Sequence, residues 1–213
     1  MGRINSAEGE IEFMNEILAI DAKNIHAWGY RQWLIKKFGL WSEESEYTQA
    51  LIENDPYNNS AWSERYFVFS NTSPDELDMK RKEISLALEY CKLINNESPF
   101  NYLRAYYCEE FEEIVKETMA QIVETQDLSR QILQFLAFVY EKENKAEVLQ
   151  VLYRLLFSVD NRRKNYWAWK ERTMNGKNIS RTKADIQLCK ILNNKKGDAL
   201  SEYYSAITKL VNI

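Results

Sequence analysis

Apolar residues recur along this chain at helical spacing. Ile132, Phe135, Leu136, Val139 and Tyr140 follow the i, i+3, i+4, i+7, i+8 pattern of a single buried helix face. Val148, Val151, Leu152, Leu155, Leu156 and Val159 trace a second such stripe, and Ile84, Ala87, Leu88 and Cys91 a third. No window alternates with a period of two, so strands are not expected. Short polar clusters interrupt the stripes. Asp21 and Asp55 stand three residues before Asn24 and Asn58, a spacing that suits turns closed by short side chains. Ser73 with Pro74, and Ser98 with Pro99, read as helix N-caps followed by proline in the first turn. The predicted helices are 7–20, 24–38, 43–54, 59–70, 75–94, 99–112, 114–125, 129–142, 146–159, 164–174, 181–193 and 198–211.

A signature is superimposed on this pattern. Asn24, Ala27-Trp28 and Arg31 reappear 34 residues later as Asn58, Ala61-Trp62 and Arg65. A third copy reads Asn165, Ala168-Trp169 and Arg172, and Phe100 stands 38 residues after Trp62 as a degenerate copy without the arginine. Paired helices at such a period indicate a solenoid of helical hairpins. The expected fold is all-α: a right-handed superhelix of tetratricopeptide-like hairpins. It forms a single domain over 1–213, with repeats near 21–55, 56–94, 95–127, 128–160 and 161–194. A large ring fills the gap between layers. An arginine three residues on lies on the same face, where its planar fork can stack on a ring or hold a carboxylate or carbonyl of the next hairpin. Trp28, Arg31, Trp62, Arg65, Trp169 and Arg172 are therefore expected to be structural anchors.

Composition narrows the function classes. Only 6 Gly and 3 Pro leave too few turns for a sandwich, barrel or doubly wound sheet. A net charge of −4, with both signs interspersed, argues against nucleic acid as a partner. No apolar run reaches the roughly 18 residues of a membrane span, and the opening MGRINSAEGE is too polar for a signal peptide. Cys91, Cys108 and Cys189 are odd in number and far apart, as expected of reduced thiols in a cytoplasmic protein. The lone histidine, His26, has no partners at ligand spacing, so no metal site is assigned to this chain.

The stretches DAKNIHAWGYRQWLIKKFGLW, NDPYNNSAWSERYFVFSNTS and NNESPFNYL, in that order, resemble the protein prenyltransferase alpha subunits. The likeness is greatest to the branch shared by protein farnesyltransferase and geranylgeranyltransferase type I, and is strong over about residues 8–107. The resemblance implies a crescent of hairpins around a beta subunit. The heterodimer would transfer farnesyl or geranylgeranyl from its diphosphate to the cysteine thiol of CaaX-ending proteins. Zinc would sit on the beta subunit and magnesium would serve the holoenzyme; no cofactor is expected on this chain, and it should not be active alone. Stable membrane insertion is not expected.

The same resemblance implies site residues. The family's catalytic lysine belongs to a repeat that, counted back from Asn24, falls upstream of Met1, so no catalytic residue is assigned here. The family pattern places Tyr-His after the asparagine; this chain has Ile25-His26 and keeps the histidine alone. His26, with Asn24 and Lys23 at a helix start whose dipole favours an anion, is expected at the diphosphate edge. The alternatives are an interface histidine and a plain cap. Asn58, Asn59 and Tyr66 are expected at the beta-subunit interface. Two other readings stand beside this one: a Rab geranylgeranyltransferase alpha subunit, and a non-catalytic helical-repeat adaptor.

Overall fold

The second helix of each of the first three hairpins begins at an asparagine, and the local chemistry explains why. In the computed structural model, which describes residues 6–72, 76–125 and 129–174, the chain leaves α1 (Glu8–Ile20) through Asp21 and enters α2 (Ile25–Phe38) through Asn24. The Asp21 Oδ1 accepts from Lys23 N, and the Asp21 carbonyl accepts from Asn24 N, both at 3.1 Å. The Asn24 Oδ1 then accepts from His26 N and Ala27 N, satisfying two donors that the first helical turn leaves without partners. The corner between α3 (Trp41–Asn54) and α4 (Asn59–Thr72) is built the same way from Asp55 and Asn58, except that the Asn58 Oδ1 accepts from Ser60 N while Ala61 N donates to the Asn58 carbonyl. Four residues thus turn the chain back with little backbone polarity left unsatisfied.

The third corner corrects an expectation. Helix α6 (Glu97–Tyr106) follows α5 (Leu77–Leu93), and the cap is Asn96, whose Oδ1 accepts from Ser98 N at 2.9 Å. Ser98 lies inside the first turn, buried, with Pro99 behind it where no helical N–H is needed. The asparagine is the constant of the corner, and Ser-Pro is its follower. Ser73 and Pro74 lie outside the described residues.

Contacts divide the chain into two compact units, Met1–Tyr106 and Tyr107–Ile213. In the first, α1 pairs with α2, α3 with α4 and α5 with α6, and the second helices also pack in sequence, α2 on α4 and α4 on α6. Met14, Leu18, Trp28, Leu34, Ile52, Trp62, Ile84, Leu88, Phe100 and Leu103 fill its core. In the second unit a 3₁₀ turn at Glu109–Phe111 precedes α7 (Glu112–Thr125). The helix expected over 99–112 therefore stops at Tyr106. Helices α8 (Arg130–Lys142), α9 (Ala146–Val159) and α10 (Lys164–Met174) then pack in order. The predicted stripe of α8 is buried throughout; that of α9 is buried except at its ends, where Val159 is exposed. The helices expected at 181–193 and 198–211 lie outside the described residues. Among the described residues the fold is all-α helical hairpins, and no helix is long and apolar enough to cross a membrane.

Helix α2 stops at Gly39, whose φ of +73° is left-handed, with its N–H and that of Leu40 both closing on the Ile35 carbonyl. A Cβ here would meet no atom within 4 Å, so backbone strain alone opposes a side chain. Gly39→Ala should lower stability by about 1 kcal/mol, read by urea denaturation, with no change of fold by circular dichroism.

Candidate functional site

The first two repeat corners each carry a tryptophan four residues after the asparagine, and the indole is tied back to that corner. The Nε1 of Trp28 donates to the Ala22 carbonyl and that of Trp62 to the Pro56 carbonyl, each at 3.0 Å and each six residues upstream. The rings are buried; Trp62 meets Tyr90 edge-on at 5.2 Å and Tyr102 at 5.0 Å. One turn on, the arginine enters the same interior. Arg31 is 2% exposed and its Nε and Nη2 hold both oxygens of Glu44 on α3, at 2.6 to 2.9 Å. Its Nη1 donates to Asn15 on α1 at 2.7 Å, and the guanidinium lies 3.8 Å over the Tyr47 ring.

Arg65 repeats the arrangement. Its Nε and Nη2 hold Glu83 on α5 at 2.6 and 2.8 Å, Nη1 donates to Gln49 on α3, and the Phe69 ring lies beneath it. The hydroxyl of Tyr102 on α6 donates to the same Glu83. Burial pushes this phenol well above its ordinary range, and the Glu83 charge adds to the effect. Each fork therefore joins three helices. The backward partners, Asn15 and Gln49, both lie 16 residues before their arginines; the forward ones lie 13 and 18 residues after.

Against this rigid interior the helix starts face outward. Lys23, Ile25 and His26 are exposed, and Asn24 is half-buried with its oxygen committed to the cap. Tyr30, one turn on, donates its hydroxyl to Glu10 on α1 at 3.0 Å and stacks on Trp33. Asn59 is exposed and Tyr66 is 41% exposed, its ring edge-on to Tyr106. Asn58 differs from the expectation: it is 4% exposed and its oxygen caps α4, so it is internal framework, not interface. Lys23, His26, Asn59 and Tyr66 thus lie at the surface, the first two at one helix start, and none is a structural anchor. Among the described residues no three or more His, Cys, Asp or Glu side chains gather where they could hold a metal ion.

The paired corners, rings and forks coincide with a known repeat. The profile of the protein prenyltransferase alpha subunit repeat matches residues 7–38 and 41–72. The chain is 31% identical over 186 residues to the protein farnesyltransferase/geranylgeranyltransferase type-1 subunit alpha of Dictyostelium discoideum, covering 80% of this chain and 56% of that one. It is 31% identical over 165 residues to the subunit of that name from Arabidopsis thaliana, covering 64% and 50%. A chain of Candida albicans protein geranylgeranyltransferase-I, solved in complex with GGPP, superposes with a TM-score of 0.69 at 29% identity, covering 81% of this chain and 60% of that one. The chain belongs to the protein prenyltransferase alpha-subunit family. It spans about half the length of the curated relatives it matches.

In the prenyltransferase register each matched repeat is one hairpin, α1–α2 or α3–α4, and the Asn-Trp-Arg signature falls in its second helix. The third hairpin keeps the asparagine cap at 96, replaces the indole by Phe100 and the guanidinium by the fully buried Leu103. Helix α10 corrects the sequence reading. The buried indole there is Trp167, which donates from Nε1 to Asp160 at 3.0 Å and stacks on Tyr153; Trp169 is 54% exposed. Arg172 is exposed too and donates to the Ala168 carbonyl of its own helix. An Asp160 side chain here replaces the backbone carbonyl as indole acceptor, and the helix is rotated by two residues relative to the signature.

Sequence reasoning did not find the carboxylates. Glu44 and Glu83 have no constant spacing from their arginines, so nothing in the sequence singles them out. It missed Asn15 and Gln49 as well, although their separation of 34 residues, the interval between Trp28 and Trp62, is a signal that could have found them.

Arg31→Ala leaves a buried carboxylate without its partner and should cost about 3–5 kcal/mol in urea denaturation. Replacing both Arg31 and Glu44 by apolar residues of similar size should recover most of that loss. In α10, Trp167→Ala should cost about 3 kcal/mol and Trp169→Ala less than about 1 kcal/mol, reversing the order that the signature suggests.

Proposed function

We propose that this chain acts as the alpha subunit of a heterodimeric CaaX protein prenyltransferase. It would scaffold a beta subunit and lend side chains to the diphosphate edge of the shared site. The observation that carries this reading is the run of relatives named as type-1 alpha subunits, each matched over 62% or more of this chain. Substrates would be farnesyl or geranylgeranyl diphosphate and CaaX-ending proteins, met in the cytoplasm. Zinc on the beta subunit, with magnesium, would supply the thiolate and help the diphosphate leave.

What this chain's own residues contribute is position and charge. The clamped repeats hold α2 so that Lys23 and His26 stand at its positive end. Donors placed there would stabilise the charge that grows on a departing diphosphate. Ile25 cannot supply a phenolic donor, so His26 carries that task with Lys23. Asn59 and Tyr66, exposed on the next second helix, suit contact with the partner. A second reading, a Rab-type alpha subunit, rests on 36% identity over 67 residues to the Saccharomyces cerevisiae geranylgeranyl transferase type-2 subunit alpha, only 29% of this chain.

Co-expression with CaaX-type beta subunits and a fluorescent CaaX peptide tests the proposal. Turnover is expected from the heterodimer and none from this chain alone. Failure to co-purify with any beta subunit, or turnover without one, overturns it. In an active heterodimer His26→Ala should lower kcat/KM about tenfold. Its melting temperature should stay unchanged, because the side chain is exposed.

A further inference from the structure

Glu64 stands one residue before Arg65 on α4 and faces the other way, toward α2. It is 1% exposed. Its Oε2 accepts from Gln32 Nε2 at 2.7 Å, a direct side-chain link between the second helices of the two matched repeats. Its Oε1 is buried and accepts nothing from the described residues.

The groups acting on it are few. From α2 they are Arg31 and Gln32; from α3 they are Glu44 and Tyr47. Helix α6 also packs on α4, but its Tyr102 and Tyr106 act on Glu83 and Arg65 instead. Arg31 already grips both oxygens of Glu44. One guanidinium therefore faces two buried carboxyl groups. A second full negative charge in this interior would lack both water and a counter-ion, and a buried acid in that position keeps its proton instead.

We infer that Glu64 is a neutral carboxylic acid in the folded protein, protonated at Oε1, and that the seam between the first two repeats is a proton-binding site that weakens when it is emptied in alkaline solution. Burial pushes Glu64 up to about 8; the Glu44 charge and a hydrogen bond to the Glu44 carboxylate, which accepts the Glu64 proton, add to the rise, while the Gln32 hydrogen bond and the Arg31 charge oppose it. The unfolded chain binds this proton only below about 4.5. Between those values the folded state holds the extra proton, so stability falls as pH rises and the loss is complete above about 8. The seam is firmest in mildly acidic solution.

Glutamine has the shape of the protonated acid and no proton to lose. In urea denaturation of the full chain, the unfolding constant of the wild type relative to Glu64→Gln should rise by up to about tenfold per pH unit between about pH 5 and 8. Comparing the two proteins cancels groups common to both. In a chain with ¹³C-labelled glutamate carboxyls, one resonance should titrate near pH 8 and be missing from Glu64→Gln. Parallel stability profiles for the two proteins, or glutamates that all titrate below about pH 6, overturn the inference. The labelled wild type decides the matter by itself should the variant fail to fold.

Discussion

A guanidinium cannot be left alone inside a protein. Arg31 and Arg65 are buried between helices, and everything near them is arranged around that cost. Each fork needs a carboxylate and an amide, drawn from two other helices, with a ring beneath it, and supplying them fixes where those helices sit. The tryptophan one turn earlier fills the remaining space and ties its indole N–H to the corner carbonyl. Apolar packing alone would tolerate sliding of one hairpin on the next. A bidentate ion pair does not, because a displacement of about one ångström leaves buried donors unmatched.

This division of labour explains what was legible in the chain. Periodic stripes such as Ile132 to Tyr140 announced helices, and Asp-x-x-Asn announced corners, because both depend on near neighbours. Trp28, Arg31, Trp62 and Arg65 repeat at a fixed interval and so declared the hairpins. Glu44 and Glu83 were hidden because the segment between repeats varies in length. Trp169 misled for a different reason: WAW offers two indoles, and the one that turns inward is Trp167, seven residues after the corner residue Asp160, as Trp28 and Trp62 stand seven after Asp21 and Asp55.

The functional edge was less legible than the frame. His26, Lys23, Asn59 and Tyr66 lie at the surface, where local sequence says little about what they meet. In the proposed heterodimer their value would come from the rigidity behind them. Helix α2 is capped by Asn24, closed by Gly39 and clamped at Arg31, so its start is held from three sides. Asn58 shows the converse case, a polar residue at an equivalent corner that the frame itself consumes.

The backward tether of each fork is constant in length and the forward one is not. Within a hairpin, then, an inserted or deleted residue would pull the amide out of reach. Between hairpins the connector tolerates five residues more or less, since the glutamate needs only to arrive on the next helix at the right height. Variation in chain length should therefore accumulate after the second helix of a repeat and be absent from its corner. The array can lengthen its outer loops while the spacing of its layers stays the same.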